Sequence, residues 1–141
     1  MDQAVIKYYR SLLRIGFENA GSIENPSIFL DPVAEGKKGI CGGPADYMNI
    51  FINIRNGTID TIKYLCLCDP TANVAVEVLC GLVKGKTLEE AASIKENMIL
   101  EAIGSNADEL RKKATALLET LNLGITRYQE NLSQNSFSQH T

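Results

Sequence analysis

The sequence contains no tryptophan, four prolines and a single histidine, His140. One imidazole in a polar C-terminal stretch excludes the Cys–His and Ser–His–Asp machines, because no base is placed to take a proton from the nucleophile. No apolar run approaches the roughly 18–20 residues of a membrane-spanning helix, so no membrane association is expected. Met1-Asp2-Gln3-Ala4 is not a basic segment followed by an apolar one, and no secretory leader is expected. Positive charge is not in excess: 14 Lys and Arg face 17 Asp and Glu, a net charge of -3. That balance argues against a nucleic-acid partner, which calls for a concentrated basic surface. The one run of three cations, Arg111-Lys112-Lys113, reads as the solvated face of a helix. Glycines 36, 39, 42 and 43 lack the Gly-Lys-Ser/Thr ending of a phosphate loop. There is no internal repeat.

What is present suits one compact domain. The chain has 141 residues, 45% hydrophobic and 22% charged, enough to bury a real core. The expected organisation is a single domain over 1–128 and a disordered polar tail over 129–141, where Ser, Gln and Asn dominate. Four cysteines without a leader point to a reducing cytoplasm, and to thiols or metal ligands over a disulfide framework.

Val5, Tyr9, Leu12, Leu13 and Phe17 recur at near-helical spacing, and the first helix is expected to end near Gly16. Ser27 to Leu30 reads as a short strand stopped by Asp31-Pro32, and residues 34–45 hold too many glycines for regular structure. Tyr47–Arg55 and Thr58–Leu67 flank Asn56-Gly57, the dipeptide suited to a type I′ hairpin turn. With Arg55 opposite Thr58, strict alternation puts Met48, Ile50, Ile52, Ile54, Ile59, Leu65 and Leu67 on the core face. Cys66 and Cys68 then share the more polar face with Tyr47, Phe51, Ile62 and Tyr64. Asp69-Pro70 reads as an N-cap with proline at the first helical position, opening a nearly all-apolar helix that contains Cys80. Thr87-Leu88-Glu89-Glu90 matches a capping box, a further helix covers Glu96 to Ile103, and Leu110, Ala114, Leu117, Leu118 and Leu121 stripe a last helix that ends at Gly124.

This order, together with Val83-Lys84-Gly85-Lys86-Thr87-Leu88-Glu89-Glu90-Ala91-Ala92 and Ile94-Lys95, resembles the N-terminal scaffold domain of NifU and its IscU relatives. Gly21-Ser22, Asn25-Pro26, Asp46 with Met48, and Gly57-Thr58-Ile59 support the likeness, which spans about residues 5–125. The resemblance implies an α+β fold, SufE/NifU-like, in which a small antiparallel sheet of about three strands with a central hairpin packs against helices. It implies a role as an iron–sulfur cluster assembly scaffold, not an enzyme, with a cysteine desulfurase and apo-protein acceptors as partners.

Such relatives hold a cluster on three cysteines: one before the hairpin, one after it, one near the start of the last helix. Counting from the shared motifs puts Pro44, Asp69 and a position near Lys112 there, with Arg111 where relatives often carry histidine. Cys41 lies three residues before the first of these positions and Cys68 one residue before the second. Thiolates suit both iron–sulfur clusters and zinc, so the candidate ligands are Cys41, Cys66 and Cys68, with Asp46 or Asp69 as an oxygen donor. Each also has a plainer reading: Asp69 as a helix cap, Asp46 as a turn cap, Cys66 and Cys68 as small semi-buried apolar groups, Cys80 as core. The expected function is a scaffold-like protein binding a labile cluster or metal ion. The alternatives are an interaction module that binds no cluster, and a variant with structural zinc.

Overall fold

The structure, a computed structural model, describes residues 2–43 and 45–139. Asp2 accepts hydrogen bonds from the Ala4 and Val5 amides and starts α1 (Gln3–Ile15), which buries Val5 and Leu12. Tyr9 and Phe17 pack on the core beside them, while Leu13, expected inside, is 60% exposed. A short strand β1 (Ile28–Leu30) follows, then a loop that includes a 3-10 turn at Lys38–Ile40.

The hairpin is β2 (Tyr47–Arg55) and β3 (Thr58–Leu67), joined by Asn56 and Gly57 at φ 54° and 74°. Two consecutive positive φ angles are what a type I′ turn requires and what Asn-Gly tolerates. The three strands form one antiparallel sheet in the order β1-β2-β3.

Alternation fails within β3. Ile54 pairs with Ile59, but Asn53 pairs with Thr61, so Asp60 is an extra residue in a β-bulge. One inserted residue reverses the facing of everything after it. Ile59 and Ile62 are both fully buried and Tyr64 is 2% exposed, while Leu65 and Leu67 point to solvent. The expected faces are therefore correct before Asp60 and inverted after it. Cys66, opposite buried Met48, lies on the core side of the sheet.

Asp69 and Pro70 open α2 (Pro70–Val83) as N-cap and first helical residue. Ten of its residues, Cys80 included, are buried, so α2 is the central rod on which β3 and the other helices pack. Thr87 and Glu90 form the expected capping box of α3 (Leu88–Ala92), and α4 covers Glu96–Ile103.

The last helix, α5 (Asp108–Gln139), does not stop at Gly124, and the described part of the expected disordered tail is helical. A Cβ at Gly124 would overlap the Leu30 side chain and lie 3.3 Å from the Ile28 side chain. The glycine is there to let β1 cross closely, not to end the helix. Ile125 is buried just beyond it and Tyr128 packs on the core. Extending an existing helix fixes one residue per hydrogen bond gained, so a weak polar sequence can follow. His140 lies outside the described residues. No helix is long and apolar enough to cross a membrane among those described. The fold is α+β, as expected.

Candidate functional site

The site forms where the glycine-rich loop meets the junction of β3 and α2. Cys41 leaves the 3-10 turn fully buried, and its carbonyl accepts the Asp69 amide at 2.8 Å. That bond brings the loop against the residue following Cys68. The Cys41 and Cys68 Cα atoms are 4.2 Å apart, and their sulfurs are joined as a disulfide across a sequence separation of 27. For this pair the structure has a disulfide where thiols or metal ligands were expected over a disulfide. The bulge supplies the reason: it turns the Cys66/Cys68 side of β3 inward, toward the buried loop cysteine.

Asp69 has two duties. Its Oδ1 accepts the Ala72 amide at 2.9 Å as the helix cap; its Oδ2 lies 3.1 Å from Lys113 Nζ. The carboxylate also presses on Gly42, where a Cβ would sit 2.6 Å from Oδ2. With φ at +102°, Gly42 is fixed as glycine by both backbone and crowding. Asp46 closes the other side of the loop, accepting the Gly43 amide at 2.8 Å through Oδ2. Pro44 lies outside the described residues.

Lys113 was not singled out by sequence, and it is inside the protein, not on a solvated face. It is 6% exposed, and besides Asp69 its ammonium donates to the carbonyls of Gly39 at 3.2 Å and Ile40 at 2.8 Å. The signal was available: residue 113 falls three after Leu110 and four before Leu117, on the apolar stripe. Its neighbours behave as a basic run usually does. Lys112 is exposed, and Arg111 pairs with Glu96 at 2.8 Å.

The other thiols stand apart from this pair. Cys66 is free and half-buried; desolvation, then the negative charge of Asp69, pushes its thiol up to about 11. Cys80 is free and fully buried, its thiol raised by burial and by Glu77. Glu77, nearly buried itself, accepts the Asn19 amide at 3.2 Å, Asn19 Nδ2 at 2.6 Å and the Tyr64 hydroxyl at 3.0 Å. Among the described residues, no three His, Cys, Asp or Glu side chains converge as a metal would require. The arrangement is a sulfur pair flanked by two engaged carboxylates and one buried cation, with exposed Tyr47 and Leu67 at its rim.

A family model described as the NifU-like N-terminal domain matches residues 16–135. Over 110 residues the chain is 27% identical to the iron-sulfur cluster assembly scaffold proteins IscU 1 and IscU 2 of Archaeoglobus fulgidus. The match covers 78% of this chain and 67% of each of theirs. A solved candidate iron-sulfur cluster assembly scaffold for the SUF system, from Fervidobacterium islandicum, superposes with a TM-score of 0.61 at 17% identity. It covers 89% of this chain and 96% of that one. The N-terminal part of a nitrogen-fixing NifU-like protein from Brucella abortus gives 0.58 at 12% identity, covering 92% and 94%. At these identities the superpositions speak to fold alone.

Proposed function

The chain belongs to the family of NifU-like N-terminal domains, and from that premise we propose that it is an iron–sulfur cluster assembly scaffold that carries a labile cluster or metal ion on Cys41 and Cys68. The observation that carries this reading is the meeting of those two sulfurs, from separate elements, although neither stands at a usual ligand position. Reduction of the disulfide by two equivalents of a monothiol such as glutathione, which leave joined as their own disulfide, yields two thiols beside the N-terminus of α2. Two soft donors suit iron and zinc alike.

Further donors come at a cost to existing contacts. Asp69 would exchange Lys113, and Asp46 would exchange the Gly43 amide. Cys66, protonated at neutral pH, would join only if the metal displaced its proton. A ligand set this lightly held fits cargo that is passed on. In this reading a cysteine desulfurase supplies sulfur, apo-proteins receive the product in the cytoplasm, and the chain performs no catalysis of its own.

Anaerobic incubation of the reduced protein with iron and sulfide is expected to give a visible thiolate-to-iron absorption band. Cys41→Ser or Cys68→Ser should abolish it, Cys66→Ser should weaken it, and Cys80→Ser should leave it. A colourless, metal-free product overturns the proposal. One observation favours a second reading, an interaction module that carries no cluster: both candidate carboxylates are already engaged. Metal analysis of protein purified without added metal discriminates. Iron supports the cargo reading, stoichiometric zinc a structural zinc site, and neither metal, with a desulfurase co-purifying, the interaction module.

A further inference from the structure

Lys113 is buried, and long cations are rarely buried unless paired. Its partners fall on both sides of the sulfur pair. Ile40, whose carbonyl it holds at 2.8 Å, immediately precedes Cys41. Asp69, its ion-pair partner at 3.1 Å, immediately follows Cys68. One ammonium from α5 therefore ties the chain beside one cysteine to the chain beside the other. The loop so tied is rich in glycine, with Gly36, Gly39, Gly42 and Gly43 in a short span. Unrestrained, such a segment keeps much conformational freedom and rarely places Cys41 at one point. The loop is also tied to α5 by the Lys37–Glu119 and Glu35–Arg127 ion pairs and anchored by buried Ile40. Besides Lys113, however, it is the Asp69 amide to Cys41 carbonyl bond that joins it to the α2 N-terminus.

We infer that Lys113 is a positioning residue, a tether through which α5 holds the Cys41 loop on the α2 N-terminus and presets the two sulfurs. α5 thus contributes a fixed cation and not a donor atom. Its hydrogen bonds are charge-assisted and so stronger than neutral ones. Holding two groups in register is worth a large effective concentration. The inference deepens the proposed scaffold reading, since it concerns the same sulfur pair, but its readout needs no metal.

The test is the thiol–disulfide equilibrium of the full chain in glutathione buffers. One oxidised glutathione converts the Cys41 and Cys68 thiols to the disulfide and leaves two reduced glutathiones, and the balance gives the effective concentration of the pair. Lys113→Met keeps the stem and removes the ammonium. Its effective concentration should fall at least ten-fold, while Cys80 stays as protected from alkylation as in the parent. A change that was merely structural would expose Cys80 instead of acting on the pair alone. An unchanged effective concentration in folded Lys113→Met overturns the inference, as does a parent protein that forms no Cys41–Cys68 disulfide. Should Lys113→Met expose Cys80, Asp69→Asn decides. It retains a capping oxygen and loses the ion pair, a fall of at least three-fold is expected, and no fall overturns the tether. Iron and zinc loading of the parent is measured alongside. A parent that loads neither refutes the cargo reading and leaves the tether standing, whereas loading with an unaltered Lys113→Met pair refutes only the tether.

Discussion

Two acidic side chains, Glu77 within α2 and Asp69 at its N-cap, show how differently a protein can use a carboxylate along one helix. Glu77, about two turns in, has neutral donors only: the Asn19 amide and side chain and the Tyr64 hydroxyl. These pin the segment after α1 and the middle of β3 to the central helix. Asp69, at the cap, keeps 29% of its side chain accessible and faces a buried cation, beside two sulfurs. The deep group is fully committed to the fold. The shallow one is held by an ion pair that another cation can replace, and that is where exchangeable chemistry belongs.

The contrast can be broken by substitution. The largest effect is expected from Glu77→Ala, which strands the Asn19 amide and leaves the Asn19 side chain and the Tyr64 hydroxyl only the residue 77 carbonyl and Asn73 Oδ1. Stability should fall by about 3 kcal/mol. Urea unfolding measures it, and a loss below about 1 kcal/mol would erase the distinction. Next is the thiol that feels the Asp69 charge. Cys66 ionises near 11 where an ordinary cysteine does so near 9.0, so near neutral pH its alkylation should be roughly a hundred-fold slower than that of an exposed thiol. The sign for stability follows. Between those two values the unfolded thiol loses its proton and the folded one keeps it, so this contribution is full below about pH 9 and lost as pH rises through about 11. Cys66→Ser should flatten that part of the pH profile. Asp69→Ala removes a cap and leaves Lys113 without its counter-charge, a loss of about 2 kcal/mol. Unlike Glu77→Ala, it should also loosen the disulfide. The smallest effect is that of Tyr64→Phe, about 1 kcal/mol for a hydroxyl proton shared between Glu77 and Asn73, with the sulfur pair untouched.

Most of the architecture was legible because its signals are local. The Asn56-Gly57 turn, the Asp69 cap, the Thr87 capping box and the α5 stripe each depend on residues a few positions apart. The three features that were not legible depend on distant neighbours. Gly124 resembles a helix stop until Leu30 is seen to need the space. Lys113 belongs to a basic run until the Gly39 and Ile40 carbonyls are seen around its ammonium. The bulge carries no glycine to mark it, although Ile59 and Ile62, three apart and both fully buried, are incompatible with uninterrupted alternation. Of the candidate ligands, Cys41 and Cys68 are brought together, Asp69 stands beside them in another partner's hold, and Asp46 faces Gly43. Cys66 remains a separate, protonated thiol.

Asp60 acts at a distance as the setting that decides which way the end of the hairpin is wound. Shortening the strand by that one residue would rotate its last half by half a turn. Two leucines would swing beneath the helices, and Cys68 would be carried out to water, away from the loop it now meets. A surface position with no chemistry of its own therefore governs whether the sulfurs ever share a neighbourhood.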